Sequence, residues 1–154
     1  LIVVFAYDSS VEQLAATLLQ KMARRDVTAL FLTPDIERSR RELATLPAWI
    51  AERTRVVPPP AETVLFGLLE IARLAVGKIA FLQMVESLAL RTPFIGVSFK
   101  GYFSHEVLPR PYRKFVHATS NLGVDDETLD AAERFLRIVP TELRKIKVRR
   151  KNAE

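Results

Sequence analysis

Cysteine is absent from the 154 residues, which excludes a disulfide scaffold, a zinc ribbon, an iron–sulfur centre and a cysteine nucleophile. Such a chain fits a reducing, cytoplasmic compartment. Only five glycines are present, so collagen-like or low-complexity character is ruled out. No apolar run reaches 18 residues, the least a membrane-spanning helix needs. Histidine occurs twice, at His105 and His117, too sparsely placed for a metal site. His105, next to Glu106 in a loop, reads as a solvated side chain, or else as a general base or a sugar-contacting imidazole; His117 falls in a strand and reads as structural.

What remains is the composition of a single soluble domain, 49% hydrophobic and 27% charged. The net charge of +5 is concentrated at one end. Arg144, Lys145, Lys147, Arg149, Arg150 and Lys151 face only Glu142 and Glu154, so the rest of the chain is near neutral. The basicity belongs to a tail, and nucleic-acid binding is not expected. With Leu143, Ile146 and Val148 among the cations, residues 141–154 read as a basic terminal helix or tail, suited to a peripheral membrane contact or to another protein. The abrupt apolar start, Leu1-Ile2-Val3-Val4-Phe5, reads as a piece cut from a longer protein.

Along the chain, apolar strands alternate with periodic helices. Residues 1–7 and 27–33 predict buried strands. Between them Ser9 and Glu12 form a capping-box pattern, followed by Val11, Leu14, Leu18 and Met22 at helical spacing. Residues 35–54 predict an amphipathic helix broken near Pro47, and 55–57 a short strand. Residues 61–76 read as one strongly apolar helix, 78–81 as a short strand or turn, and 82–91 as a helix with Leu82, Val85, Leu88 and Ala89 toward the core. Residues 94–99 and 115–120 predict strands around a loop at 100–111. Asp125 or Asp126 should cap a helix to about Ile138. The pattern predicts an α/β, Rossmann-like parallel sheet of about five to six strands, helices on both faces, over residues 1–140. Ligands of such sheets sit beyond the carboxyl ends of the strands, here the loops at 8–10, 33–35, 57–61, 78–83 and 100–104.

Familiar motifs are missing. Gly77-Lys78 is no phosphate loop, since Ala72 replaces its first glycine and Ile79 its Ser/Thr. Tyr7-Asp8-Ser9-Ser10 has no glycine, so the dinucleotide fingerprint is lacking. Neither G-x-S-x-G nor H-E-x-x-H occurs. Trp49 and Tyr112 read as core or partner surface rather than stacking platforms. Gln83 and Glu86, three apart on one helix, share a face at the ligand edge. A carboxylate there can accept hydrogen bonds from vicinal hydroxyls such as those of ribose.

The run Gln83-x-x-Glu86-Ser-Leu-Ala-Leu-x-Thr92-Pro93-Phe-Ile-Gly-Val resembles the E-A-L-A-x-G-x-P-x-I-x-V signature of GT-B glycosyltransferases, in their carboxy-terminal nucleotide-sugar-binding half. Ala80 stands where that family has glycine six residues before the glutamate, and Arg91 where Gly commonly precedes a residue and Pro. The resemblance implies one lobe of a two-lobed GT-B fold. It implies a nucleotide-diphosphate-sugar donor, UDP-linked, and a transferase of polysaccharide, lipid-sugar or glycoprotein assembly. By the same resemblance Glu86 binds ribose, Gln83 lies near the donor phosphates, Val57 holds the base through its backbone, and Ser9 and Ser10 face the diphosphate. Lys78 would offset the leaving group without a metal or other cofactor, and the general base would come from an amino-terminal lobe missing here. Three other readings stand beside this one. The first is a degenerate GT-B-like lobe that binds a partner without catalysis. The second is a domain similar to polysaccharide pyruvyltransferases, with Gly77-Lys78-Ile79-Ala80 on their G-x-R-L-H motif. The third is a different Rossmann-like domain whose Glu-Ser-Leu-Ala-Leu run is a core helix.

Overall fold

A computed structural model describes residues 1–79, 81–98, 108–120 and 124–138. Expectations on Ala80, His105, the loop at 100–104 and the basic stretch 141–154 lie outside them.

Among the described residues, six strands form one all-parallel sheet: β1 (Ile2–Phe5), β2 (Ala29–Leu32), β3 (Thr54–Val57), β4 (Leu74–Lys78), β5 (Phe94–Val97) and β6 (Val116–Thr119). Their order is β3-β2-β1-β4-β5-β6. Ile2 lies opposite Ala29 on one side and Leu74 on the other. The chain builds outward from β1 in one direction, then returns to its other side and builds in the opposite direction. Right-handed crossovers then put the early helices on one face and the middle ones on the other.

The side chains follow this division. Ile2, Val4, Phe31, Val76 and Ile95 pack with α1 (Ser9–Met22), α2 (Ile36–Leu43), α3 (Ala48–Ala51) and the late helix α7 (Asp126–Arg137). Trp49 is half-buried against this core, with the Arg25 guanidinium 5.5 Å from its ring centroid. Val3, Phe5, Ala75 and Phe94 pack on the opposite face with α4 (Glu62–Ile71) and α5 (Phe81–Ala89). A short α6 (Arg110–Arg113) leads into β6. Tyr112 on it is half-buried and lines a groove of about 160 Å³ with Val85, Leu88, Ala89, Leu108 and Pro109.

Several local expectations hold. The amphipathic stretch divides at Pro47 into α2 and α3. Asp125 caps α7 by accepting from the Thr128 amide at 2.8 Å. His117 is structural: its Nε2 lies 3.0 Å from the Thr128 hydroxyl and ties β6 to α7.

Three details differ. The apolar stretch expected as one helix over 61–76 is two elements, since α4 stops at Ile71 and β4 begins at Leu74. Leu74, Ala75 and Val76 are fully buried at the middle of the sheet, where the adjoining strands supply backbone partners that a helix would forgo. The cap of α1 is Asp8, whose carboxylate accepts from the Val11 amide at 3.1 Å, and Ser9 is the first helical residue. Glu12 therefore makes no capping box. It is fully buried and receives the Arg38 guanidinium at 2.9 Å and the Ser39 hydroxyl at 3.1 Å. Lastly, α5 turns Met84, Ser87 and Leu88 inward, leaving Leu82 67% and Val85 37% exposed.

The end of α5 shows why glycine is common there in the resembling family. The Thr92 amide donates to Ser87 O at 2.8 Å and the Arg91 amide to Leu88 O at 3.0 Å, the bonding pattern of a Schellman turn. Arg91 sits at the left-handed position, φ 66°. A side chain there clashes with its own backbone, at about 1 kcal/mol. Its guanidinium makes no hydrogen bond or ion pair among the described residues. Arg91→Gly is therefore expected to stabilise the protein by about 0.5–1 kcal/mol, roughly 1–4 °C in a thermal melt. A lowered melting temperature would contradict this account of the turn.

Candidate functional site

Strand order reverses between β1 and β4, so the loops leaving their carboxyl ends run to opposite faces and part from each other. The crevice left there is where an α/β sheet offers side chains and free helix ends to a ligand. Successive residues of each strand point to opposite faces, and this alternation divides the site into two sides.

On the α1 side, Asp8 follows β1 and Lys78 ends β4. Lys78 Nζ lies 3.7 Å from Asp8 Oδ2, with both side chains part-exposed. The Ser10 hydroxyl also donates to the Asp8 carboxylate. Partial burial pushes the Asp8 carboxyl up. The bonds from Ser10 and the Val11 amide, with the charge of Lys78, outweigh that effect and hold it below the ordinary carboxylate range. Arg38, in the first turn of α2, closes this side. Its Nε and Nη2 reach Glu12 Oε1, each at 2.9 Å, and Nη2 also donates to Ala6 O at 3.2 Å. The hydrogen bond to Glu12 holds the guanidinium proton more firmly than usual, with Asp35 and Asp8 adding to the effect.

The α5 side begins with two glycines opposite each other, Gly77 on β4 and Gly96 on β5. A Cβ on Gly77 would come within 2.9 Å of the Phe94 ring and 3.2 Å of Gln83 Oε1. One on Gly96 would meet Phe94 and Ile79 at 2.7 Å. The bare Gly77 lets the Gln83 amide of α5 lie against the end of β4, and the bare Gly96 leaves room for the Phe94 and Ile79 side chains. One turn further on, Glu86 is half-buried. Its carboxylate makes no hydrogen bond or ion pair among the described residues. Burial pushes its pKa above the ordinary value, and the charge of Glu62, in the first turn of α4, adds to the rise. Tyr7 stacks on Phe5, ring centroids 6.4 Å apart and planes 18° from parallel. It remains 40% exposed, and burial, then the charge of Glu86, raises its pKa.

The sequence-derived residues are thus distributed over one edge. Lys78 and Ser10 meet at Asp8, with Ser9 exposed beside them, while Gln83 and Glu86 stand across the crevice. Val57 ends the edge strand β3 half-buried, its carbonyl accepting from the Thr33 amide at 3.0 Å. Asp8, Tyr7, Glu62 and Arg38 belong to the same constellation and were not singled out from sequence. Asp8 carried a signal, an acid directly after a buried strand and before a helix. Arg38 and Glu62 carried none, because their place depends on how α2 and α4 cross the sheet. Among the described residues no cluster of three or more His, Asp or Glu side chains could hold a metal ion, and no helix is long and apolar enough to cross a membrane.

No protein-family model matches this sequence, and no curated protein matches it. Solved structures do resemble it in fold. A mutant O-GlcNAc transferase from Thermobaculum terrenum matches 94% of this chain with a TM-score of 0.67 at 16% identity. The glycosyltransferase VinC, in complex with dTDP, matches 94% with a TM-score of 0.63 at 16% identity. This chain spans only 31% and 36% of those two chains. The C-terminal CMP-Kdo binding domain of WaaA from Acinetobacter baumannii matches 94% of this chain and is itself 87% covered, with a TM-score of 0.60 at 12% identity. These matches are GT-B glycosyltransferases, and the fold of this chain is that of one GT-B lobe.

The electrostatics of Glu86 bear directly on stability. Folding raises its pKa, so the folded chain binds that proton more tightly than the unfolded one. The penalty is fully present above the folded pKa and is relieved as pH falls through it. Glu86→Gln is therefore expected to stabilise the ligand-free protein at neutral pH by about 0.3–0.5 kcal/mol, roughly 1–2 °C, since the site is part-solvated and screened. The advantage should shrink on acidification. A variant less stable than the parent at neutral pH would contradict this reading.

Proposed function

We propose that this chain is the donor-binding lobe of a glycosyltransferase and holds a sugar carried on a nucleotide at the β1/β4 crevice. The observation that carries the reading is Glu86: a half-buried carboxylate with no partner among the described residues, held beside a second acid at the ligand edge of the sheet. The Glu86 oxygens remain open to the crevice, where a ligand's donors can take the place of water. Two vicinal hydroxyls of a ribose are suitable donors, since an ionised carboxylate can only accept. Gln83 offers an amide toward the phosphoryl end, and the end of β3 at Val57 offers backbone to the base. Lys78 supplies positive charge as the nucleotide leaves, without a metal.

The nucleotides named with two similar structures, dTDP with VinC and CMP-Kdo with the WaaA domain, support a nucleotide-sugar for this fold. A second lobe facing the carboxyl edge would bring the acceptor and the general base. The sugar so transferred would serve polysaccharide, lipid-sugar or glycoprotein assembly in the cytoplasm, with the basic stretch 141–154 as a contact to a membrane surface or to another protein.

Thermal melts against a panel of nucleotides and nucleotide-sugars test this. At 100 times its dissociation constant a true ligand adds about 2.7 kcal/mol, an upward shift of roughly 5–10 °C. Glu86→Ala should remove most of that shift without lowering the melting temperature of the free protein. A lobe that serves only as a protein-interaction module would show no shift with any member of the panel.

A further inference from the structure

We infer that Asp8 limits the phosphoryl charge this crevice accepts, selecting a donor joined to its nucleoside through a single phosphate, a singly charged phosphodiester, over one joined through a diphosphate. The inference rests on the nucleotide-sugar reading above and departs from the diphosphate donor that the sequence resemblance implies.

The first strand–helix loop of a doubly wound fold usually receives a pyrophosphate. Glycines there let backbone approach the ligand, and the amides of the following helix point at its negative charge. Here the same place is filled from within. The Asp8 carboxylate accepts from the Val11 amide at 3.1 Å and from the Ser10 hydroxyl, and lies 3.7 Å from Lys78 Nζ. The protein's own anion thus sits on the start of α1 and on the cation that ends β4. Arg38, the next cation along the edge, is held by the fully buried Glu12 and by the Ala6 carbonyl. Across the crevice stand two further acids, Glu86 and Glu62. The described residues of this edge therefore set Lys78 and Arg38 against Asp8, Glu12, Asp35, Glu62 and Glu86. Each additional phosphoryl charge brought to the α1 side meets a fixed like charge, whereas a phosphodiester brings only one. A diphosphate-linked donor carries one charge more, and a free nucleoside diphosphate about two more, a difference that a part-solvated carboxylate a few ångströms away can discriminate.

Binding of matched probes distinguishes the outcomes. The 5′-monophosphate methyl esters of uridine, cytidine, adenosine, guanosine and thymidine, one charge each, are compared by calorimetry with the diphosphate β-methyl esters of the same nucleosides, two charges each. The parent protein is expected to bind the best monophosphate ester at least tenfold more tightly than its diphosphate counterpart. Asp8→Asn removes the charge, and asparagine caps a helix as well as aspartate does. It should tighten diphosphate binding about tenfold and change monophosphate binding much less, so that the preference collapses. Asp8→Ser, another good cap, should act alike if the asparagine variant fails to fold. A diphosphate preference in the parent, or an unchanged ratio in both variants, overturns the role of Asp8 and leaves the nucleotide reading intact. Failure of every monophosphate and every diphosphate ester to bind overturns the nucleotide reading, and this inference with it.

Discussion

Parallel pairing of β1 with β4, Ile2 opposite Leu74 and Val4 opposite Val76, reverses the direction in which the sheet grows. From that pairing it follows that α1 and α5 leave the same edge toward opposite faces. The two loops cannot cover each other, and the edge stays open between them. The hydrophobic division on either side maintains this arrangement. Val4 and Val76 belong to the core under α1, Val3 and Ala75 to the core under α5, and neither set can move without stranding the other. The site is thus a consequence of topology before any polar residue is considered.

Polar residues then make that edge electrically uneven. The α1 side is internally compensated, with Asp8 against Lys78 and Glu12 against Arg38. The α5 side is not, because Glu86 is partly buried, feels the charge of Glu62, and has no partner among the described residues to offset either effect. A fold of this size tolerates a few tenths of a kcal/mol of such strain easily. The asymmetry distinguishes the two sides: one presents an uncompensated hydrogen-bond acceptor, the other paired charges.

Much of this was readable from residues alone. The β-branched run in β1, the break at Pro47 and the acid before α7 each have a local cause, and each element is found where that cause placed it. The helix carrying Gln83 and Glu86 was readable too, from its spacing and from Thr92-Pro93 behind it. What escaped was set by distant contacts. From Val64 to Val76 the residues are mostly apolar, interrupted by Gly67, Glu70 and Arg73, and none of these marks the change from α4 to β4. Burial between β1 and β5 decides it. The inward face of α5 was misread because Leu82 and Val85 are apolar yet exposed, while Ser87 is buried with its hydroxyl bonded to Gln83 O at 2.8 Å. At the start of α1 both Asp8 and Ser9 are good caps, and only the chain's exit angle from β1 chooses between them.

The account stands or falls on the Glu86 carboxylate as the group a ribose meets. Its titration, followed by the carbon chemical shift of that carboxyl with and without a saturating nucleotide, tests this most directly. In the free protein the pKa should lie above the ordinary glutamate value. On binding it should fall, because hydroxyls that donate to the ionised form stabilise it. A nucleotide that binds tightly yet leaves this titration unchanged would show that the ribose lies elsewhere and would contradict the account.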